Sequence, residues 1–247
     1  MQPINPDPGH ELRDGNLFLV PQAILFDLDG TLADTAPDLA AAINWLRGVH
    51  GLAPVTYDLL RPFASAGARG MIGAAFGLAP ADDGFETLRL AFLNRYENNI
   101  ATTSRLFDGI PALLQTLDAN AIPWGIVTNK AARFTMPLLT KIGLQQAACV
   151  ISGDTTSYPK PHPAPLLEAA RRLAIPAENC WYVGDDLRDI QAGIAAGMTT
   201  VAAAWGYCGA LEPASWNADV TMQTPSELLE RVRMLLAASD IDAVRTD

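Results

Sequence analysis

Basic residues are in the minority. The chain carries 17 Lys and Arg against 27 Asp and Glu, a formal net charge of −10 over 247 residues. Phosphate backbones and anionic membrane surfaces repel such a surplus, which argues against a nucleic-acid binder and against a membrane-surface protein. It does not exclude a small anionic substrate, because one bound cation reverses the local potential. Cysteine is scarce as well. Cys149, Cys180 and Cys208 are odd in number, widely spaced and form no C-x-x-C pair. They read as reduced thiols of a cytoplasmic protein. No apolar run is long enough to cross a bilayer. The Pro-rich, acidic start reads as neither signal peptide nor anchor, and residues 1–20 are expected to form a flexible tail and lead-in. There is no internal repeat and no low-complexity segment. Hydrophobic residues nevertheless make up 49% of the chain and charged ones only 18%, so a substantial core is expected.

Short apolar runs alternate with longer amphipathic ones. Six runs read as strands: "AILFDLD" from Ala23, "WGIVTN" from Trp124, "ACVISGD" from Ala148, "CWYVGDD" from Cys180, "TTVAAA" from Thr199 and "ADVTM" from Ala218. They are apolar on both faces, as parallel strands covered by helices must be. Helical patterns fill the gaps, and the alternation predicts a doubly wound, Rossmann-like parallel α/β sheet. The rhythm fails between Thr35 and Phe107, where no strand is evident and four stretches read as helices. The expected organisation is a core of residues 21–35 and 107–247 interrupted by a helical cap at 36–106. Within the cap Trp45, Phe63, Phe76 and Phe92 are expected to form its core.

The notable polar groups follow the expected strands. Asp27, Asp29 and Gly30 follow the first; Thr128, Asn129 and Lys130 the second. Lys160 lies after the third, and Asp185, Asp186 and Asp189 after the fourth. In an open parallel sheet these meet at the carboxyl edge, where ligands bind. Several carboxylates at one point repel each other, and burial worsens it. A hard divalent cation resolves the conflict, and carboxylates without neighbouring His or Cys suit Mg²⁺. Mg²⁺ with a lysine and a hydroxyl makes a phosphate site. One aspartate can attack phosphorus, and its neighbour two residues on can serve as acid and base. Gly30 turns the chain away so that both carboxylates meet the substrate. In the glycine-rich stretch Ala64–Gly77, Arg69 is the expected partner of a substrate carboxylate.

"FDLDGTLADT", "IVTNK", "PKPHPAP" and "VGDDLRDI", in that order, resemble the four motifs of the haloacid dehalogenase-like phosphohydrolases, over about Ala23 to Leu236. The resemblance implies Asp27 as nucleophile and metal ligand. Asp29 would be the acid/base, with its carbonyl on the metal, and Asp185 a further ligand. Asp186 and Asp189 would sit there or just behind, Asp189 as a partner of Lys160 or of metal-bound water. Thr128, the Asn129 backbone and Lys160 would hold the phosphoryl group. The place of the helical stretch is similar to the phosphoglycolate phosphatase and β-phosphoglucomutase branch. The absence of lysine from 36–104 disfavours Schiff-base phosphonate chemistry. A small carboxylated phosphate metabolite, 2-phosphoglycolate, is the expected substrate. N-acetylmuramic acid 6-phosphate and a phosphomutase reaction stay open, and a receiver-type signalling domain is the distant alternative.

Overall fold

The computed structural model describes residues 19–209 and 211–245, with side chains to residue 239. The expected tail falls almost wholly outside them. In chain order the elements are β1 (Ala23–Phe26), β2 (Ala33–Asp34), α1 (Ala36–Val49), α2 (Tyr57–Leu60), α3 (Gly67–Phe76), α4 (Phe85–Asn98) and β3 (Arg105–Leu106). There follow α5 (Ile110–Ala119), β4 (Trp124–Val127), α6 (Ala132–Ile142), β5 (Cys149–Ile151), α7 (Ala164–Leu173), β6 (Cys180–Gly184), α8 (Leu187–Ala196), β7 (Thr199–Ala203), β8 (Val220–Met222) and α9 (Pro225–Arg245).

Six strands pair in the order β5-β4-β1-β6-β7-β8, every neighbour parallel. All six expected strands form, and the doubly wound α/β architecture stands. Side chains alternate across the sheet. Ile24 and Phe26 of β1, with Trp124 and Ile126 of β4, face the layer that holds Leu113 and Leu117 of α5 and Leu228 and Val232 of α9. Ala23 and Leu25 face the opposite layer, with Leu166 and Ala169 of α7 and Ala192 of α8. Neither face of β1 meets water, and all four of its residues are buried. This is why the strand sequences read as unbroken apolar runs rather than as alternating ones.

Helices α1 to α4 stand between β2 and β3, which pair antiparallel with each other. Arg105–Leu106 is a strand where the sequence showed none. A two-residue ribbon is held by backbone alone and leaves no periodicity to read. The stretch Arg61–Ala66 is a 3₁₀ turn leading into α3, with Pro62 near its start. Of the aromatic residues expected inside this unit, Phe92 is fully buried, but Trp45 and Phe63 are 43% and 44% exposed. Trp45 lies instead against the Arg95 guanidinium, 5.0 Å from its ring centre, with the cation replacing a core wall.

Two side chains tie this helical unit to its base. Asp38, buried in the first turn of α1, accepts hydrogen bonds from the backbone N–H of Thr103 and Ser104 at 2.9 and 3.0 Å. It accepts two more from their hydroxyls at 2.6 Å. The incoming and outgoing chains are thereby pinned together. Tyr207 does the second job. Its phenol oxygen accepts from the N–H groups of Thr35 and Ala36 at 2.7 and 2.8 Å, and donates to Asp34 Oδ1 at 3.1 Å. These N–H groups lie at the open N-terminus of α1, which lacks a local side-chain cap.

Asp38→Ala removes the acceptor of all four bonds at once. It is expected to lower unfolding free energy by about 2–4 kcal/mol. Urea unfolding checks this, and an unchanged midpoint would show that the two chains are held by other contacts.

Candidate active site

Because the strands run parallel, the loops after β1, β4, β5 and β6 gather at one edge. They enclose a cavity of about 220 Å³ lined by Asp27, Asp29, Thr128, Asn129, Lys130, Lys160, Asp186, Arg188 and Asp189. Ser65, Phe92 and Tyr96 of the helical unit close its other side. The chain continues past β1 in extended form, with Asp27 N–H donating to Val183 O at 2.9 Å. That places the Asp27 carboxylate at the floor of the cavity.

Lys160 lies beneath this floor. Its Nζ is 2.9 Å from Asp27 Oδ1 and 2.7 Å from Asp189 Oδ1. It also donates to Val127 O at 2.9 Å and meets the Tyr182 hydroxyl at 2.7 Å. Asp27 Oδ1, although close to the ammonium, is left without an aligned donor. The Lys160 backbone is fixed in turn by Asn129. Asn129 Oδ1 accepts from Lys160 N–H and its Nδ2 donates to Lys160 O, both at 2.9 Å. Burial works against the Lys160 charge, but Asp189 and Asp27 outweigh it and hold the pKa above the ordinary lysine value.

Asp185 lies behind Asp27, fully buried. It accepts from the Thr31 hydroxyl at 2.9 Å, the Tyr207 N–H at 2.9 Å and the Ser65 hydroxyl at 3.2 Å. Gly30, at φ +90°, and Gly206 make room for it. A Cβ on Gly30 would stand 2.1 Å from Asp185 Oδ2, and one on Gly206 would stand 2.2 Å from Asp185 Cβ. Oxygens of Asp27, Asp185 and Asp189 all lie within 4.8 Å of one another. Burial, then repulsion from Asp27 and Asp189, drives the Asp185 pKa well above the usual carboxylate range. Burial, offset in part by Lys160, lifts Asp27 to about 7. Three buried carboxylates facing one ammonium leave surplus negative charge on an all-oxygen donor set. That set fits a hard divalent cation.

The other expected residues separate into those the structure brings here and those it does not. Asp29 turns its carboxylate away from the trio, accepting from Thr35 Oγ1 at 2.5 Å and Lys130 Nζ at 2.8 Å. Asp186 caps α8 and pairs with Arg188 at 2.8 Å, while Asp189 completes the same capping box. Thr128 lines the cavity with Asn129. Gly30 does not line it; this glycine serves Asp185 from behind. Arg69 is also absent from the wall. It is exposed on α3, because the loop presents only Ala64 to Ala68 inward before the helix turns its next residue to solvent. Arg188 is the guanidinium that does line the wall, and it reaches across to Ser65 O at 2.9 Å. Sequence reasoning missed it because an arginine in the first turn of a helix reads as solvated. His162 lies outside the cavity, stacked on Tyr158 at 4.6 Å between ring centres.

The chain belongs to the haloacid dehalogenase-like hydrolase family, whose model matches residues 24–203. Among its relatives is a phosphoglycolate phosphatase of Xanthomonas campestris pv. campestris, 48% identical over 85% of this chain and 96% of the relative. Another is an N-acetylmuramic acid 6-phosphate phosphatase of Pseudomonas aeruginosa, 43% identical over 85% and 93%. A crystal structure from Haemophilus somnus 129PT, described as a predicted phosphoglycolate phosphatase, superposes with a TM-score of 0.76. It is 27% identical and covers 85% of this chain and 96% of that one.

The raised Asp27 pKa has a thermodynamic signature. Without divalent metal, the folded state keeps this proton up to about pH 7, whereas the unfolded chain releases it near 3.8. The folded state binds more protons in between, so metal-free stability falls as pH rises through that window. Asp27→Asn removes this residue's share of the slope. In the presence of a chelator it is expected to gain on wild type from about pH 4 to 7 and to hold a constant advantage above. Urea unfolding at stepped pH measures this, and an Asn variant less stable than wild type at neutral pH would refute it. Gly206→Ala, which drives a methyl into Asp185, is expected to lower kcat/KM at least about 100-fold. Near-normal activity would show that the loop has room to yield.

Proposed function

We propose that the chain is a Mg²⁺-dependent phosphomonoesterase that hydrolyses 2-phosphoglycolate in the cytoplasm through an aspartyl-phosphate intermediate. In this reading residues 36–106 act as the cap. One observation carries it: Asp27 stands at the floor of a cation-lined cavity with one oxygen lacking an aligned donor. Although Asp27 pairs with Lys160 at 2.9 Å, its carboxylate borders the cavity, the position of a nucleophile.

In the first step Asp27 attacks phosphorus. The bond from phosphorus to the ester oxygen breaks, and Asp29 supplies the proton that the departing alkoxide takes. In the second step Asp29 takes a proton from water as the water attacks phosphorus. The bond to Asp27 breaks, and orthophosphate leaves. Lys160 offsets the charge of Asp27 before attack and that of the phosphoryl oxygens after it. Thr128 and the Asn129 backbone orient the phosphoryl group. Mg²⁺, held by Asp27, Asp185 and the Asp29 carbonyl with Asp189 behind them, would neutralise the phosphoryl oxygens and position them for in-line attack.

The size of the cavity favours the smaller of the two carboxylated candidates. At about 220 Å³ it falls below the roughly 300–1,000 Å³ of pockets for drug-sized ligands. A two-carbon phosphate suits it better than an amino-sugar phosphate. The relative named for N-acetylmuramic acid 6-phosphate makes that compound the comparison substrate.

With Mg²⁺ present, orthophosphate release from 2-phosphoglycolate is expected at higher kcat/KM than from N-acetylmuramic acid 6-phosphate or hexose phosphates. Chelation should abolish it, and Asp27→Asn should lower kcat by about 10³-fold or more. Side-by-side phosphate assays decide. Absence of release from every phosphomonoester would overturn the reaction class; a preference for the muramic compound would overturn only the substrate.

A further inference from the structure

One hydroxyl in the cavity wall has no structural employment. Tyr96 of α4 is 2% exposed, borders the cavity, and its phenol oxygen has no hydrogen-bond partner among the described residues. The other two phenols near the site are fully engaged. Tyr182 bonds Lys160 and Val127 O, and Tyr207 caps α1. A phenylalanine would fill the place of Tyr96 without the cost of an unmet polar group. Its flanks, Phe92 and Phe134, offer no polar partner either. The one polar group beside the hydroxyl is the Lys130 ammonium, and the pair borders the cavity together.

Beside it stands the cation with donors to spare. Lys130 Nζ lies 4.8 Å from the centre of the Tyr96 ring, interacts with its hydroxyl and donates to Asp29 Oδ1 at 2.8 Å. An ammonium has three N–H donors. The other cations of the wall are committed: Lys160 to Asp27, Asp189, Val127 and Tyr182, and Arg188 to Asp186 and Ser65. Substrate chemistry fixes what belongs here. In 2-phosphoglycolate the carboxylate carbon is bonded to the carbon that carries the ester oxygen. The group that protonates that oxygen thus has the carboxylate for a neighbour. If Asp29 is that group, Lys130 and then Tyr96 are the next side chains met.

We propose that the Tyr96 hydroxyl and the Lys130 ammonium form the subsite for the substrate's carboxylate, the place the sequence suggested for Arg69. This rests on the phosphatase reading above. The subsite selects phosphates that carry an anionic group one carbon from the ester, and it is supplied jointly by the helical unit and the loop after β4.

The test compares kcat/KM for 2-phosphoglycolate with that for ethyl phosphate, which has the same carbon chain and no carboxylate, in wild type and Tyr96→Phe. The expected result is a wild-type preference for 2-phosphoglycolate that shrinks about tenfold or more in the variant, chiefly through KM. The thermal midpoint should be equal or higher, because an unmet buried hydroxyl has been removed. A preference retained in Tyr96→Phe overturns the subsite and leaves the hydrolysis reading intact. A lowered midpoint with equal losses on both substrates makes the hydroxyl structural and overturns it too. A wild-type enzyme that hydrolyses both compounds equally overturns the subsite and the choice of 2-phosphoglycolate but not the hydrolysis. One that releases phosphate from neither of them overturns the subsite, and the reaction class falls with it only if no other phosphomonoester is hydrolysed.

Discussion

Mutual repulsion among buried carboxylates governs this molecule. Asp27, Asp185 and Asp189 are drawn within a few ångströms of one another, and only Lys160 sits among them. Such a group would spread apart or move to water unless surrounding structure forbade it. Here it is forbidden from every side. Asp185 is clasped by Thr31, Ser65 and the Tyr207 N–H. Asp189 is pinned by its capping-box bond to the Asp186 N–H at 3.1 Å. Asp27 is held by the strand that it terminates. The fold does work against electrostatics at this edge, and a bound cation would release that tension.

The same residues serve stability and chemistry at once. Asp189 completes a helix cap and anchors the lysine. Asn129 fixes the Lys160 loop through both ends of its amide. Arg188 satisfies Asp186 and touches the backbone of the helical unit. Precision at the cavity floor therefore comes from strand ends, a helix cap and loops whose backbone is hydrogen-bonded in place.

Much of this was legible beforehand because the strong signals are local. Unbroken apolar runs mark strands covered on both faces, and the residue after each strand end falls at the carboxyl edge whatever the rest of the chain does. The six strands and the meeting of Asp27 and Asp185 follow from these two rules, whereas Lys160, deep in the loop after β5, and Asp189, inside α8, were placed by the motif resemblance. What stayed hidden depends on direction and distance. Arg69 sits on a promising glycine-rich stretch, yet helical geometry turns it outward. Tyr96 carried no signal in the sequence, and only its surroundings reveal a buried hydroxyl at the cavity wall beside Lys130. The β2–β3 ribbon was too short for any pattern. Tyr207 lies far along the chain from the helix it caps, so no window of sequence contains both.

That last separation bears on how the chain comes into being. The phenol that closes the start of α1 is made 172 residues after Thr35, and the same residue's backbone holds Asp185. During synthesis, which runs from the N-terminus, the first helix keeps open amides until Tyr207 has been made. A polypeptide cut short before Tyr207 lacks both the phenol that caps this helix and the N–H that Asp185 accepts from.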